Sequence, residues 1–82
     1  MTDKDPILLC IAVLGGTGKE GSALAMRWAL NGYKVVIGSR DAEKAKQRAI
    51  ELNQELGGDY LEGMDNQAAA TIGNLIVVSV PY

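Results

Sequence analysis

Three glycines with a fixed spacing are the first residues of this sequence whose pattern indicates a chemical role. Gly16, Gly18 and Gly21 have the spacing G-x-G-x-x-G, between an apolar run and a stretch of helix-forming residues. In such a loop the glycines permit a tight turn, close approach of the backbone to a pyrophosphate, and close packing of the helix on a sheet. Unpaired N–H groups at the start of that helix would bind the anion, so the context favours a dinucleotide-binding loop.

Two other interpretations of the glycine loop are an ordinary turn that binds nothing and a Walker A phosphate loop. The strand-like run before the loop and the helical stretch after it disfavour the first interpretation. The second fails on spacing, because Glu20 follows Lys19 where a Walker A loop has the serine or threonine that holds Mg²⁺.

A second group of residues bears on which dinucleotide would bind. NAD-binding proteins usually place a carboxylate about 20 residues beyond the glycines, but this chain has Gly38-Ser39-Arg40 there. The guanidinium of Arg40 would bind a 2′-phosphate through charge-assisted hydrogen bonds, and the hydroxyl of Ser39 would add another. Lys44 and Thr17 are expected to face the same place, so the pattern predicts NADP(H) rather than NAD(H).

Each of these residues also has a purely structural interpretation. Arg40 would be a solvated loop cation, Ser39 a helix cap, and Lys44 half of a surface ion pair with Glu43. Asp41 is adjacent to Arg40, and its carboxylate could hold a ribose. Its position suits the first turn of the following helix better, where the helix dipole favours negative charge.

The elements that must position these residues follow from apolar patterning. Ile7–Leu14 is a continuous apolar run, which is typical of a strand buried on both faces. β-branched residues, helix formers and glycine stops mark the other elements. The predicted strands are 7–14, 33–37, 60–64 and 75–80, and the predicted helices are 22–30, 41–56 and 65–72.

This alternation predicts one α/β domain over residues 1–82 with the element order βαβαβαβ. Right-handed crossovers between parallel strands place helices on both faces of the sheet. The expected fold is a Rossmann-type parallel sheet with strand order 3-2-1-4. Cys10, Met26 and Trp28 are expected to belong to the core.

Composition argues against several other classes of protein. A net charge of −2 disfavours a nucleic-acid partner, and the absence of histidine with a single cysteine disfavours a metal site. The longest apolar run is too short to cross a bilayer, and the acidic start is unlike a signal peptide. We expect no membrane partner and a cytoplasmic location, where the lone Cys10 stays reduced.

A known family has similar residues in four segments of this chain, which are Ala12–Gly18, Val36–Arg40, Glu43–Ala45 and Val78–Tyr82. Together they resemble the NADPH-dependent reductases of the deazaflavin coenzyme F420, and the resemblance covers almost the whole chain after the first few residues. Parts of the pattern also occur in NADP-dependent reductases that act on pyrroline carboxylate or hydroxy acids.

The resemblance implies roles for individual residues. Thr17, Ser39, Arg40 and Lys44 would hold the 2′-phosphate. Gly18, Lys19 and Glu20 would line the pyrophosphate, and Tyr82 would lie on the nicotinamide side. In the same cofactor-binding loop, Gly16 permits the tight turn and Gly21 the packing of the helix on the sheet. The sequence departs from the family at Lys19-Glu20, where small polar and apolar residues are usual, and at Tyr82, where tryptophan is common.

The resemblance also implies a reaction, which is hydride transfer between the nicotinamide C4 and the C5 of coenzyme F420. That reaction requires alignment of two cofactors and no catalytic acid or base. Family members continue beyond the fourth strand and add a C-terminal domain that builds the second cofactor pocket and the dimer. The catalytic residues, and whether this chain is an active enzyme alone, therefore stay undetermined at this point.

Two other functions stay open on the sequence alone. One is a non-catalytic NADP(H)-binding module, and the other is an interaction module whose glycine loop is empty. In either case the apolar fourth strand, Leu75–Val80, would leave an uncovered edge on a small sheet. We therefore expect a homo-oligomer or a partner chain that covers that strand.

Overall fold

The computed structural model describes residues 9–15 and 17–79, which form strands and helices in strict alternation. This order is the one predicted. The elements are β1 (Cys10–Leu14), α1 (Lys19–Leu30), β2 (Lys34–Ser39), α2 (Ala42–Leu56), β3 (Leu61–Asp65), α3 (Asn66–Ile72) and β4 (Leu75–Val78).

The strands form one parallel sheet with the order β3-β2-β1-β4, which confirms the predicted topology. β1 pairs with β2 and with β4, and β2 also pairs with β3. In this register Leu14 lies opposite Gly38 and Val78, and Gly38 lies opposite Met64. The carboxyl ends of all four strands are therefore aligned at the same end of the sheet.

Alternate residues of the central strands face two separate apolar layers. Ile11 and Val13 of β1 pack with the buried alanines and leucine of α1 and α2. Cys10 and Ala12 face the opposite layer, where Ala69 of α3 packs against them. Helices thus cover both faces of β1 and β2, as expected for a strand that is apolar throughout.

The aromatic and sulfur side chains predicted to lie in the core are there. Cys10 is 7% exposed, and the partly buried side chains of Met26 and Trp28 pack against the layer formed with α1 and α2. Among the described residues no group of histidine, cysteine, aspartate and glutamate could hold a metal ion. No helix in the described ranges is both long and apolar enough to cross a membrane.

Several predicted boundaries were wrong by a few residues. α1 begins at Lys19 rather than Ser22, because Gly18 takes an extended N-cap conformation and its carbonyl accepts the N–H of Ser22 at 2.9 Å. β2 continues to Ser39 rather than ending at Ile37, because Gly38 and Ser39 pair with β3.

The starts of the strands also differ from the prediction. β1 begins at Cys10, and β2 begins after Tyr33, whose N–H is bonded to the Trp28 carbonyl at 3.2 Å. β3 runs from Leu61 to Asp65, one residue later than predicted at each end. Residues 7, 8 and 80, which were predicted to be strand, lie outside the described ranges.

The side chain of Asn53 fixes the connection between α2 and β3. Its Oδ1 accepts hydrogen bonds from the backbone N–H groups of Tyr60 and Leu61, both at 2.9 Å. Its Nδ2 donates to the Leu61 carbonyl at 2.9 Å. The Asn53 amide therefore satisfies backbone groups of Tyr60 and Leu61, at the start of the edge strand β3, where one side has no neighbouring strand.

Replacing Asn53 with alanine is expected to lower the free energy of unfolding by about 2 kcal/mol, since three hydrogen bonds of a half-buried amide are lost. Urea denaturation of the whole chain measures the change. Gln54→Ala, at the exposed neighbouring position, is the matched control. Equal stability of the two variants would contradict this role of Asn53.

The carboxylate of Asp41 caps α2, as its sequence position suggested. Its Oδ1 accepts the backbone N–H groups of Glu43 at 3.0 Å and Lys44 at 3.4 Å. An acceptor at this position satisfies helix N–H groups that have no partner within the helix. Asp65 does the same for α3, where it accepts the N–H of Ala68 at 2.8 Å.

Asp41→Ala is expected to destabilise the chain by about 1 kcal/mol, the usual effect of losing an N-cap acceptor. Asp41→Asn keeps an acceptor oxygen at the same place and should retain most of the stability. Thermal or urea unfolding of the two variants tests this. If alanine is tolerated as well as asparagine, the cap contributes nothing.

Candidate functional site

The loop after β1 is held by its neighbours on both sides. Gly15 donates its N–H to the Gly38 carbonyl at 2.9 Å, and Ser79 donates to the Leu14 carbonyl at 2.9 Å. Gly15 has a φ of +75°, and a Cβ at this position would lie 2.8 Å from the Ser79 carbonyl oxygen. The turn off the strand therefore needs a glycine at Gly15.

The G-x-G-x-x-G spacing predicts the tight turn at Gly16, which lies outside the described residues. Gly15 was not predicted, because that spacing starts one residue later. The only signal for Gly15 was its position directly after an apolar strand.

The helix that follows the loop begins without a side-chain cap. Gly18 is the N-cap residue, and within the described ranges α1 has no side-chain cap hydrogen bond at its start. A Cβ on Gly18 would meet only the Gly15 carbonyl oxygen, at 4.0 Å. Lys19 and Glu20 are exposed in the first turn, and Gly21 is buried. The first backbone N–H groups of α1 are thus not covered by a capping side chain.

An open cavity of about 340 Å³ lies at the carboxyl ends of the first three strands. Its volume falls within the range of about 300–1,000 Å³ that is common for small-ligand sites. The loop after β1, the segment from the end of β2 into α2, and the first residue of α3 line it. The lining residues are Gly15, Thr17, Ser39, Arg40, Asp41, Lys44 and Asn66.

The cavity brings together the four residues predicted to hold a 2′-phosphate. Thr17 reaches it from the glycine loop, Ser39 and Arg40 from the end of β2, and Lys44 from the first turns of α2. Among the described residues, the other four predicted residues are not part of its lining. Gly18, Lys19, Glu20 and Gly21 belong to the start of α1, and Gly16 and Tyr82 lie outside the described ranges.

Two cations, Arg40 and Lys44, lie at the cavity. Within residues 9–15 and 17–79 neither enters an ion pair, and the nearby carboxylates of Glu43 and Glu51 pair with Lys46 at 3.7 Å and Arg48 at 3.1 Å. The surface pair between Lys44 and Glu43 is therefore not formed. Both cations are exposed and can turn towards a bound anion.

The two remaining polar groups at the end of β2 have defined partners. Ser39 is 9% exposed, and its Oγ accepts the N–H of Asp41 at 3.2 Å. The interpretation of Ser39 as a helix cap is wrong, because Asp41 is the N-cap of α2. The Ser39 hydroxyl instead holds the turn between β2 and α2, and it can still donate its proton. The carboxylate of Asp41 faces the helix N–H groups that it caps.

Asn66 is, like Gly15, a lining residue that the sequence did not predict. It is the first residue of α3 and follows β3 directly. Its position at the end of a predicted strand was a signal, but a single asparagine beside a helix start is more often a cap. Asp65 takes the capping role instead.

A family model described as "NADP oxidoreductase coenzyme F420-dependent" matches residues 10–82. The F420-dependent NADP reductase of Methanothermobacter thermautotrophicus is 44% identical over 77 residues, covering 92% of this chain and 33% of that protein. The enzyme of the same name from Methanothermobacter marburgensis is 47% identical over 73 residues, covering 87% of this chain and 33% of that protein. This chain spans about one third of the length of these relatives.

A solved structure shows the same fold at lower identity. The menthone neomenthol reductase of Mentha piperita superposes with a TM-score of 0.74 at 21% identity, covering 94% of this chain and 33% of that one. The shared feature is the Rossmann-type arrangement of the parallel strands and helices. With the family model matching nearly every described residue, the chain belongs to the family of coenzyme F420-dependent NADP oxidoreductases.

Proposed function

We propose that this chain is the NADP(H)-binding portion of an oxidoreductase that transfers hydride between NADP(H) and coenzyme F420. The observation that carries the proposal is the cavity in which Thr17, Ser39, Arg40 and Lys44 meet. Family membership and the names of the relatives support the same nucleotide.

The cavity fits the 2′-phosphate of NADP(H) in charge and in hydrogen-bond donors. Arg40 offers a planar fork of N–H donors, and Lys44 offers a second positive charge from the adjacent helix. The hydroxyls of Ser39 and Thr17 add neutral donors on the two sides. A dianionic phosphate would thus meet two cations that are free of intramolecular ion pairs among the described residues.

The carboxylate beside Arg40 does not oppose this assignment. In an NAD-binding site a carboxylate after β2 accepts the ribose hydroxyl and repels a 2′-phosphate. Here Asp41 directs its Oδ1 to the N–H groups of Glu43 and Lys44. Its negative charge therefore interacts with the positive end of the α2 dipole.

The pyrophosphate would lie at the start of α1. The first-turn N–H groups there have no side-chain cap, and Gly18 leaves the approach open. The positive end of a helix dipole stabilises a nearby anion. In this proposal Gly16, Gly18, Lys19, Glu20 and Gly21 surround the pyrophosphate, and Tyr82 lies near the nicotinamide.

NADPH supplies a hydride from its nicotinamide C4, and the residues of this chain bind and orient the adenosine end. The described part of the chain thus contributes nucleotide affinity and selectivity. The site for F420 would be built by sequence corresponding to the remaining two thirds of the relatives. That sequence would belong to the same polypeptide or to a partner.

The edge strand β4 is a candidate contact for such a partner or a second copy. Leu75, Ile76 and Val78 are 48%, 46% and 65% exposed, and Ile72 on α3 is 43% exposed. An apolar strand at the edge of a sheet readily pairs with another chain. In this proposal the second part of the protein, or a homo-oligomer, covers β4.

Arg40→Ala is expected to weaken NADP⁺ binding by about 10–100-fold, because a charged donor pair to the 2′-phosphate is lost. Binding of NAD⁺, which lacks that phosphate, should change little. Isothermal titration calorimetry with both nucleotides measures the two effects. Arg27→Ala, an exposed arginine in the last turn of α1, is the matched control.

Equal loss of affinity for NADP⁺ and NAD⁺ in Arg40→Ala would place the guanidinium outside the 2′-phosphate site. Failure of the unmodified chain to bind either nucleotide would remove the proposed function.

A chimera tests whether this chain can act as the nucleotide-binding portion of such an enzyme. The third of the Methanothermobacter thermautotrophicus reductase that matches this chain is replaced by residues 10–82. We expect the chimera to oxidise NADPH with F420, followed by the absorbance of the deazaflavin, at a rate within about tenfold of the parent. A chimera that binds NADP⁺ normally but does not reduce F420 would contradict the proposal that this chain orients NADPH for hydride transfer to F420.

A further inference from the structure

A side-chain hydrogen bond joins α1 and α2 near the start of α1. Nε of Arg48, on α2, donates to Oγ of Ser22, on α1, at 3.1 Å. Ser22 is buried, and its backbone N–H donates to the carbonyl of Gly18, the N-cap residue of α1, at 2.9 Å. The guanidinium of Arg48 is therefore connected, through one residue, to the first turn of α1.

The same guanidinium is also fixed within its own helix. Nη1 of Arg48 donates to Oε1 of Glu51 at 3.1 Å, and the two charges form an ion pair. Lys44, at the nucleotide cavity, precedes Arg48 by four residues, so the two cations lie on the same face of α2. Arg48 thus bonds to α1 one helical turn beyond the cation expected to bind the 2′-phosphate.

A hollow of about 290 Å³ lies beside the nucleotide cavity, between the loop after β1 and α2. Its lining residues are Thr17, Lys44, Gln47, Arg48 and Glu51. Thr17 and Lys44 line the nucleotide cavity as well. The apolar core residues of the two helices come later in each helix, and they are Ala25, Ala29, Ala49 and Leu52. Arg48 therefore bonds to α1 at a point where apolar packing has not yet begun.

NADP(H) would place one anionic group at the start of each of these helices. In the proposed function the pyrophosphate lies at the start of α1, and Arg40 and Lys44 bind the 2′-phosphate. Both groups are attached to the same ribose, so the distance between them varies little. A ligand that occupies two sites at once gains affinity from the second only if the spacing of the sites matches its own.

We infer that Arg48 is a positioning residue that holds the start of α1 at the distance from α2 that NADP(H) spans. The inference rests on the proposed function. Nε and Nη1 of Arg48 are directed at Ser22 and Glu51, and Arg48 is not among the described residues that line the nucleotide cavity. Its contribution is to organise the two phosphate sites before the nucleotide binds.

The test compares one ligand that reaches both sites with two ligands that reach one site each. NADP⁺ carries both groups, adenosine 2′-monophosphate lacks the pyrophosphate, and NAD⁺ lacks the 2′-phosphate. Calorimetric titration of the whole chain measures the three dissociation constants. Arg48→Met keeps much of the side-chain volume but removes the donors. It should weaken NADP⁺ binding about tenfold and binding of each other ligand less than about twofold.

A second variant removes the same hydrogen bond without a change of charge. Ser22→Ala deletes the acceptor and should reproduce the selective loss of NADP⁺ affinity. The double variant should lose no more NADP⁺ affinity than Arg48→Met alone, because both substitutions remove one shared bond. Arg27→Met, at an exposed arginine in the last turn of α1, is the matched control for the lost charge. It should leave all three dissociation constants within about twofold, since distant surface charges are screened by salt.

The other outcomes overturn the role of Arg48. If Arg48→Met weakens adenosine 2′-monophosphate as much as NADP⁺, the guanidinium binds the 2′-phosphate directly. Equal losses for NADP⁺ and NAD⁺ would restrict its effect to the pyrophosphate site. Preferential NADP⁺ binding that survives both Arg48→Met and Ser22→Ala would remove this inference and leave the proposed function intact. If the unmodified chain binds none of the three ligands, the proposed function and the inference fail together.

Discussion

At the carboxyl end of β1 the backbone is tied to both neighbouring strands within two residues. The Leu14 carbonyl accepts the N–H of Ser79, and the N–H of Gly15 reaches the Gly38 carbonyl, both at 2.9 Å. Only a glycine can make this turn, because the backbone has a left-handed φ at Gly15 and a Cβ there would collide with the Ser79 carbonyl oxygen. The start of α1, the end of β2 and the cavity between them all take their positions from this junction.

The electrostatics of the site depend on which charges the secondary structure already uses. Asp41 is adjacent to Arg40 in sequence, yet its carboxylate is directed at the N-terminus of α2. The carboxylates of Glu43 and Glu51 pair with Lys46 and Arg48. A helix cap and two ion pairs on one helix thus leave the cations at the cavity available for an anion.

The element order, the sheet topology and the gathering of Thr17, Ser39, Arg40 and Lys44 were all predictable, because the apolar periodicity and the alignment of parallel strand ends determine them. Helix and strand boundaries were less predictable. The start of α1 depends on the backbone angles of Gly18, and the end of β2 on pairing with β3. Asn66 was not predicted as a lining residue, because its side chain lies against Gly38, a residue distant in the sequence.

The placement of the cavity at the strand ends has a consequence for how this family can diversify. The layers that hold the sheet together are built from Ile11, Val13, Ala12 and their neighbours, and none of these residues lines the cavity. Most of the lining belongs to connections rather than to the apolar layers. Substitutions that alter nucleotide preference can therefore accumulate with little penalty in foldability, so that selectivity and folding evolve as nearly independent traits.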